Sequence, residues 1–363
     1  MKSIGKFTQQ ILAGANIALV VVMLLVGLSD RINPAGHPYV AVIGLSFPVF
    51  LCLNMAFLAM WIFVRVRMAI IPVAGFILCY GPVRTYTPFN ISRTAPDSTI
   101  KVLSYNVYSF HAWTDIDGPC GIIDYLVEQN ADIVCLQECN TDPYRRARMD
   151  EQMGRIYAYK DSVSRERNVD ELDIYSKFPI LRKERIRYES RSNHSAAFYL
   201  NVHGDTVIVV VNHLESIRLS DEEKSNFNTM MHGRLKRDSA KTESRKLISK
   251  VGNASAVRAP QAEAVAQYVR DHRDKSIILC GDFNDSPISY ARRTIANELI
   301  DCYVESGNGP GISYHNNGFY VRIDNIMCSD DWVPYACKVD RNIKDSDHYP
   351  ISCLLKKRHN GDK

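Results

Sequence analysis

The sequence predicts an α/β domain of two packed mixed sheets flanked by helices, preceded by two or three transmembrane helices. Two observations predict it. Before about residue 85 the chain is dominated by apolar runs, whereas after about residue 97 short apolar stretches alternate with amphipathic ones and charges are spread throughout. In that later part hairpins are mixed with helical crossovers, which suits two stacked sheets better than one doubly wound sheet.

A chain of 363 residues is long enough for one sizeable domain plus an appendage. No internal repeat or low-complexity tract is present. The net charge of +4 is small and dispersed, so charge by itself makes no case for nucleic-acid binding. The ten cysteines include no Cys-x-x-Cys pair, and Cys135, Cys280, Cys328 and Cys353 sit inside apolar, strand-like runs. Buried free thiols are the plain reading; disulfides stay open if the domain lies outside the cytoplasm.

Three apolar runs come first. Residues 11–28 contain no charge and only Asn16 as a strongly polar group; residues 39–64 are longer and also uncharged. Residues 68–83 are shorter and interrupted by Pro72, Gly75 and Gly81. A spanning helix needs about 20 mainly apolar residues, so the first two qualify, and Pro and Gly do not disqualify the third. Lys2 and Lys6 before the first run would suit a signal peptide, but no small-x-small cleavage site follows and a second long run arrives at once. Neither long run has a polar face, which argues against a buried soluble helix. Arg65 and Arg67 follow the second run, while the loop at 29–38 carries only Arg31, offset by Asp30. Basic clusters prefer the cytoplasmic side. Three spans then put the following domain on the extracytoplasmic face and two leave it in the cytoplasm; three is the favoured count.

In the later part, residues 101–107 alternate as a strand does. Ile122, Ile123 and Leu126 share a helical face, and 132–136 makes another strand. Residues 197–202 and 206–211 bracket a turn at His203-Gly204-Asp205 and read as a hairpin. Pro260 is expected to open a helix striped by Ala262, Val265, Ala266 and Val269. Strands follow at 276–280, 322–328 and 351–355.

Polar groups fall at the ends of these strands. Asn106, Glu138, the pair Asn212-His213, the pair Asp282 and Asn284, and Asp347-His348 each follow or flank an apolar run. Singly each has a bland reading: 282–287 could be only a turn, and His213 only a satisfied hairpin histidine. Together they make a kit for phosphoester hydrolysis. An anionic ester resists attack, so a hard cation must neutralise charge on the phosphoryl oxygens, and carboxylates such as Glu138 and Asp347 hold one. A histidine beside an aspartate can orient and deprotonate water near neutral pH, and a second can serve the leaving oxygen. Strand ends place such groups rigidly around one cleft.

Ser104-Tyr105-Asn106, Leu136-Gln137-Glu138, Asn212-His213-Leu214, Gly281-Asp282-Phe283-Asn284, Arg322-Ile323-Asp324 and Ser346-Asp347-His348-Tyr349-Pro350 resemble, in that order, the endonuclease/exonuclease/phosphatase superfamily. That group includes deoxyribonuclease I, exonuclease III-like enzymes, neutral sphingomyelinases, inositol polyphosphate 5-phosphatases and deadenylases. The resemblance covers roughly residues 100–355 and not the apolar segment. It implies a four-layered α/β sandwich and Mg²⁺, or Mn²⁺, as cofactor. It further implies Glu138 as metal ligand with Asn106 and Asp347 close by, Asp282 orienting the attacking water and Asn284 holding a phosphoryl oxygen. His348, oriented by Asp324, would be general base or phosphate clamp, and His213 would serve the leaving side. Arg322 is expected to support the site, not to react. A histidine at 213 looks more like the sphingomyelinase, phosphatase and deoxyribonuclease branches than the apurinic endonucleases. One departure stands out: Glu171, Leu172 and Asp173 precede Tyr175-Ser176-Lys177-Phe178-Pro179-Ile180, where the family usually has small residues.

The expected organisation is a membrane anchor at 1–85, a linker at 86–99, a catalytic domain at 100–356 and a disordered tail at 357–363. Within the catalytic domain, residues 217–259 form a long polar insertion, its later half biased basic. The plain reading is a solvated helix or mobile loop; the functional one is a lid or anionic-surface contact beside His213. The expected activity is a metal-dependent phosphoric ester hydrolase, a phosphodiesterase or phosphatase on a lipid headgroup or small ester. An extracytoplasmic nuclease and a non-catalytic membrane binding module are the alternatives. The expected partners are the bilayer, through the first helices, and the phosphoester, with no obligate protein partner evident.

Overall fold

The computed structural model describes residues 5–111, 120–165, 170–234 and 236–358. Lys2 and residues 359–363 of the expected tail lie outside the described residues. Helices α1 (Lys6–Gly27), α2 (Pro38–Gly44), α3 (Phe47–Val64), α4 (Ile70–Leu78) and α5 (Tyr80–Tyr86) form the first part. Two stretches, Lys6–Arg31 and Pro38–Val64, are long and apolar enough to cross a membrane. A third qualifies if Val66–Leu78 and Tyr80–Tyr86, bent by 71°, count as one span. Pro82 accounts for the bend, because its ring cannot share space with the carbonyl four residues earlier. Buried amides tie these helices together. Asn16 and Asn54 are fully buried, Trp61 Nε1 donates to Asn16 Oδ1 at 3.1 Å, and Asn54 Nδ2 donates to the Pro72 carbonyl at 3.0 Å. Side-chain hydrogen bonds of this kind hold helices together where lipid offers no competing partner.

The rest is a sandwich of two six-stranded mixed sheets. One runs in the order β13 (Trp332–Val339), β14 (Ile351–Lys357), β1 (Ile100–Asn106), β2 (Ile133–Gln137), β4 (Glu171–Ser176), β3 (Tyr159–Ser164). The other runs β5 (Ile180–Ile186), β6 (Ser195–Val202), β7 (Asp205–His213), β8 (Ser276–Asp282), β12 (Asp324–Cys328), β9 (Ile300–Asp301). Among the described residues, only β1–β2 and β7–β8 pair in parallel. Helices fill the connections: α7 (Gly121–Gln129), between β1 and β2, and α8 (Pro143–Gly154), between β2 and β3, cover the first sheet. The long α10 (Arg237–Asp271) and α11 (Tyr290–Ala296) cover the second. Four layers result, as the sequence patterning and resemblance imply. The β6–β7 hairpin turns at His203 and Gly204, both with positive φ (55° and 100°), which suits the tight two-residue turn that strand twist favours.

Strand periodicity explains where the site forms. Along β8, Ile278 and Cys280 face the opposite sheet while Ile277 and Leu279 face the helices. Asp282 continues the first series. His213 likewise continues Val207, Val209 and Val211, Asn106 continues Val102, and Asp324 precedes Ile326 and Cys328. A two-residue repeat therefore brings all four side chains to one rim of the inter-sheet core, where apolar packing stops.

Two expectations are corrected. Pro260 lies inside α10, not at its start. The missing N–H costs one helical bond, but the preceding turns bury Val251, Ala254, Ser255, Arg258 and Ala259, and that packing carries the helix through. The expected strand at 322–328 begins at Asp324, because buried Arg322 bonds outward to the carbonyls of Thr85 and Pro310. The insertion is α9 (Asp221–Met231), opened by a Ser220–Glu223 capping box, together with the first half of α10. Small elements complete the fold: a left-handed turn α6 (Tyr108–His111), helix α12 (Cys302–Ser306), and a hairpin of β10 (Tyr314–Asn316) with β11 (Phe319–Val321).

The unusual charges at 171–173 have a partner. Arg146 of α8 pairs with Glu171 and with Asp173, whose side chain is wholly buried. All ten cysteines are free thiols and all but Cys52 are buried.

The helical segment packs on the sandwich. Asn33 Nδ2 donates to Glu263 Oε1 at 2.9 Å, and Arg293 lies 3.4 Å from Asp30. Gly44 comes so close to the Ile288 carbonyl that a Cβ would stand 2.5 Å away. Ile288 itself packs with Met23, Val26, Phe47 and Leu51. Farther along, Arg84 pairs with Glu305 at 3.2 Å, and Asn90 donates to the carbonyls of Val304 and Gly307.

Candidate active site

Asp282 is the centre of the site. Its carboxylate accepts from the Asn284 backbone N–H at 2.7 Å, from Asn106 Nδ2 at 3.2 Å and from Asn284 Nδ2 at 3.1 Å. A histidine stands on each side: His213 Nε2 lies 3.8 Å and His348 Nε2 3.7 Å from Asp282 Oδ2. Each histidine is backed by a buried aspartate. His348 Nδ1 bonds Asp324 Oδ2 at 2.8 Å, and His213 Nδ1 bonds Asp170 Oδ1 at 3.1 Å. With both Nδ1 atoms committed, both Nε2 atoms face the cleft. That of His213 is buried without a hydrogen-bond partner.

Local backbone shape contributes. Register pairs Asp282 with both His213 and Asp324 across neighbouring strands, so the three side chains stand in a row. Gly281 has φ 134°, and a Cβ there would meet the Asn212 carbonyl at 2.0 Å; only glycine allows β7 and β8 to approach so closely at this edge. Glu138 and Asn284 hold φ of 56° and 52°, a region costly for residues with a Cβ and concentrated at functional sites.

Oxygen donors complete the cleft. Glu138 Oε1 accepts from Asn106 Nδ2 at 3.0 Å and lies 3.6 Å from His213 Nε2. Asp347 Oδ2 accepts from Asn316 Nδ2 at 3.2 Å, and its Oδ1 is 4.0 Å from His348 Nε2. Glu138, Asp282, Asn284, Asp347 and His348 share a cavity of about 210 Å³ with Tyr108, Arg218, Lys224, Tyr314 and Phe319. Asp282, Asp324 and His348 also offer one ligand atom each within 4.8 Å of one another, close enough to hold a metal ion.

The electrostatics follow from burial and these pairings. Burial works to lower the His213 pKa, but Asp170, Glu138 and Asp282 outweigh it and raise it to about 9. For His348 burial again opposes, and Asp324, Asp282 and Asp347 raise it to about 10. Burial pushes the Asp282 carboxyl up, with His348 opposing and Asp324 reinforcing. Burial would raise Asp170 too, yet His213 and His194 hold it well below the usual carboxylate range. The neighbouring carboxylates thus favour the imidazolium form of both histidines that flank Asp282.

The fold brings Asn106, Glu138, His213, Asp282, Asn284, Asp324, Asp347 and His348 into one cleft, as their positions at strand ends led one to expect. Asn284 differs in detail: its amide donates to Asp282 and, at 3.0 Å, to the Leu214 carbonyl, so it is engaged in orienting the carboxylate. Arg322 stays outside the cleft. Asp170 is a member that sequence reasoning missed. It sits just before β4, and nothing in its neighbourhood marks it; only the pairing of the two sheets brings it behind His213.

Residues 103–348 match the Endonuclease/Exonuclease/phosphatase family, and residues 9–86 match a domain of unknown function (DUF8431). The first match covers more than half of the chain, and the chain belongs to that family. No curated protein matches it. Solved structures share the fold. A humanized D. rerio TDP2 with 14 mutations aligns at TM-score 0.50 and 17% identity over 72% of this chain and 100% of its own. Truncated Caenorhabditis elegans TDP2 aligns at 0.51 and 14% over 71% and 98%. The human Nocturnin catalytic domain, with bound sulfate, aligns at 0.50 and 16% over 72% and 94%. At such identities the likeness is one of fold alone.

Proposed function

We propose that this chain, as a member of the endonuclease/exonuclease/phosphatase family, is a membrane-anchored, Mg²⁺-dependent hydrolase of phosphoesters in lipid headgroups. The observation that carries the reading is the buried carboxylate of Asp282, set between two aspartate-backed histidines in a cleft lined by further oxygen donors.

The donor set fits a hard divalent cation. Glu138 and Asp347 supply carboxylates and Asn106 an amide oxygen, the chemistry Mg²⁺ or Mn²⁺ prefers. These three residues would hold the ion, and the ion would neutralise charge on the phosphoryl oxygens. Asp324 and His348, by contrast, satisfy each other through a 2.8 Å bond, which favours an orienting pair over a ligand set.

The chain's own groups account for the proton movements. Water attacks phosphorus and gives a proton to Asp282, whose raised pKa makes it a better base than an exposed aspartate. The bond from phosphorus to the leaving oxygen breaks, and that oxygen takes a proton from protonated His213. His348, held cationic by Asp324, clamps a phosphoryl oxygen, and Asn284 keeps Asp282 in line. A diester yields an alcohol and a phosphomonoester, and a monoester yields an alcohol and inorganic phosphate. Solvent then resets Asp282 and His213.

The contacts of the anchor support the lipid reading and the extracytoplasmic side. The loop between the first two spans touches the sandwich through Asp30, Asn33 and Pro38, so it lies on the same side as the site. Arg65, after the second span, bonds Gln9 at 2.8 Å near the start of the first. Three crossings satisfy both contacts, and two do not. Lys6, Arg65 and Arg67 then share the cytoplasmic side.

The test uses the full chain in detergent with its His213→Ala and Asp282→Ala variants. Substrates are phosphoinositides, sphingomyelin, plasmid DNA, RNA and bis(4-nitrophenyl) phosphate. Chelator-sensitive lipid hydrolysis lost in both variants supports the proposal. Preference for DNA or RNA overturns the lipid reading, and no turnover of any substrate overturns the hydrolase reading.

A further inference from the structure

The 217–259 insertion reaches over the cleft. Helix α9 lies along α10 through Lys250 and Glu223, 2.6 Å apart, and through Met230 against Ser244. The same helix meets the β10–β11 hairpin, where the rings of Phe227 and Phe319 stack with centroids 4.0 Å apart and 17° between planes. This contact closes an arch above the floor formed by Glu138, Asp282, Asn284, Asp347 and His348.

From the arch, Lys224 lines the cavity, its amino group 6.0 Å from the centre of the Tyr314 ring. It is half-buried, and among the described residues no carboxylate lies within ion-pair distance of it. The neighbouring cations are all spoken for: Lys246 by Glu243, Lys250 by Glu223, Arg218 by Glu215 and Ser192. A partly desolvated, unpaired ammonium is costly unless an anion arrives. His213 and His348 flank Asp282 on the floor, whereas Lys224 enters the cavity from the arch.

Two of the aromatic rings lining the cavity are already engaged, which disfavours a cation against them. A quaternary ammonium headgroup would need open ring faces. Phe319 is covered by Phe227, and Tyr314 has His348 at its edge and Lys224 nearby.

We propose that Lys224 is a specificity-determining residue that selects phosphoesters carrying a second anionic group beside the scissile phosphate, against zwitterionic choline or ethanolamine esters. The proposal rests on the phosphoesterase reading but names what that reading leaves open. The shared chemistry is the second anion, whether it belongs to a membrane lipid or to a soluble headgroup ester.

The experiment compares the full chain with Lys224→Ala and Lys224→Arg. The doubly charged substrates are phosphatidylinositol 4-phosphate in detergent micelles and soluble glycerophosphoinositol 4-phosphate; the zwitterionic ones are sphingomyelin and glycerophosphocholine. The ratio of kcat/KM for doubly charged over zwitterionic esters should fall about 10- to 100-fold in Lys224→Ala, mainly through KM, and recover in Lys224→Arg. A loss confined to the micellar arm assigns the second anion to lipid, and a loss in both arms assigns it to the headgroup itself. An unchanged ratio, or an oligonucleotide preferred to every headgroup ester, overturns the proposal. Binding to the Asp282→Asn background gives a readout that needs no turnover. There, Lys224→Ala should weaken calorimetric binding of glycerophosphoinositol 4-phosphate by a similar factor. Equal binding of both this ester and micellar phosphatidylinositol 4-phosphate overturns the proposal even if the hydrolase reading has failed on its own terms, by absence of chelator-sensitive turnover.

Discussion

Asp170 Oδ1 lies 3.1 Å from His213 Nδ1, and both residues are buried. The other oxygen of Asp170 is 3.2 Å from His194 Nδ1, so one carboxylate faces two imidazoles. The arrangement mirrors Asp324 behind His348 on the far side of Asp282.

If Asp170 holds His213 cationic and pointed at the leaving oxygen, Asp170→Asn keeps the shape and removes the charge. Steady-state kinetics should show kcat lowered by about 10- to 100-fold with KM little changed. An unaltered kcat would make the pair a packing feature only.

Metal binding can be read without substrate. Saturating Mg²⁺ at about 100 times Kd should stabilise the folded chain by roughly 2.7 kcal/mol in thermal denaturation. Glu138→Gln should abolish that increment, because the carboxylate proposed to hold the ion is gone. A full increment in the variant would move the ion elsewhere in the cleft.

Arg146 carries the charges of Glu171 and Asp173. Arg146→Met leaves Asp173 buried and uncompensated, and should cost about 3–5 kcal/mol in denaturant unfolding. Adding Asp173→Asn should return most of it. The pH response has a definite sign. Burial raises the Asp173 pKa from 3.8 to about 6, with Arg146 opposing. This group therefore contributes most below pH 3.8, and its contribution declines as pH rises through 6. Asp173→Asn should flatten stability across that window, measured against the wild-type chain.

Membrane sidedness is directly measurable. Ala35→Cys and Asp274→Cys, both at exposed positions, should react with an impermeant maleimide on intact cells. Arg67→Cys, also exposed, should react only after permeabilisation. Labelling of Arg67→Cys together with Asp274→Cys on one side would mean two crossings.

Much of this was legible in the residues. Three apolar runs foretold the helical segment, because length and lack of charge are local properties. Alternation along residues 101–107 and 276–280 foretold strands, and polar groups at their ends foretold the cleft, because a two-residue period places side chains before any packing is known. The start of α10 was misread because Pro260 is a strong local signal, and only burial of residues 251–259 against distant elements overrides it. Arg146 could not be matched to Asp173 from sequence, since 27 positions separate them.

By itself, then, the sequence determined the two-part layout, the strand-end donors and the family to which they point. The tertiary structure alone decided that Asp170 backs His213, that Lys224 lines the cleft, and that the 29–38 loop packs on the sandwich. The physical reason is the same in each case. Periodicity and composition are written along the chain, whereas contacts between remote segments arise only when two sheets and their helices bury a common core.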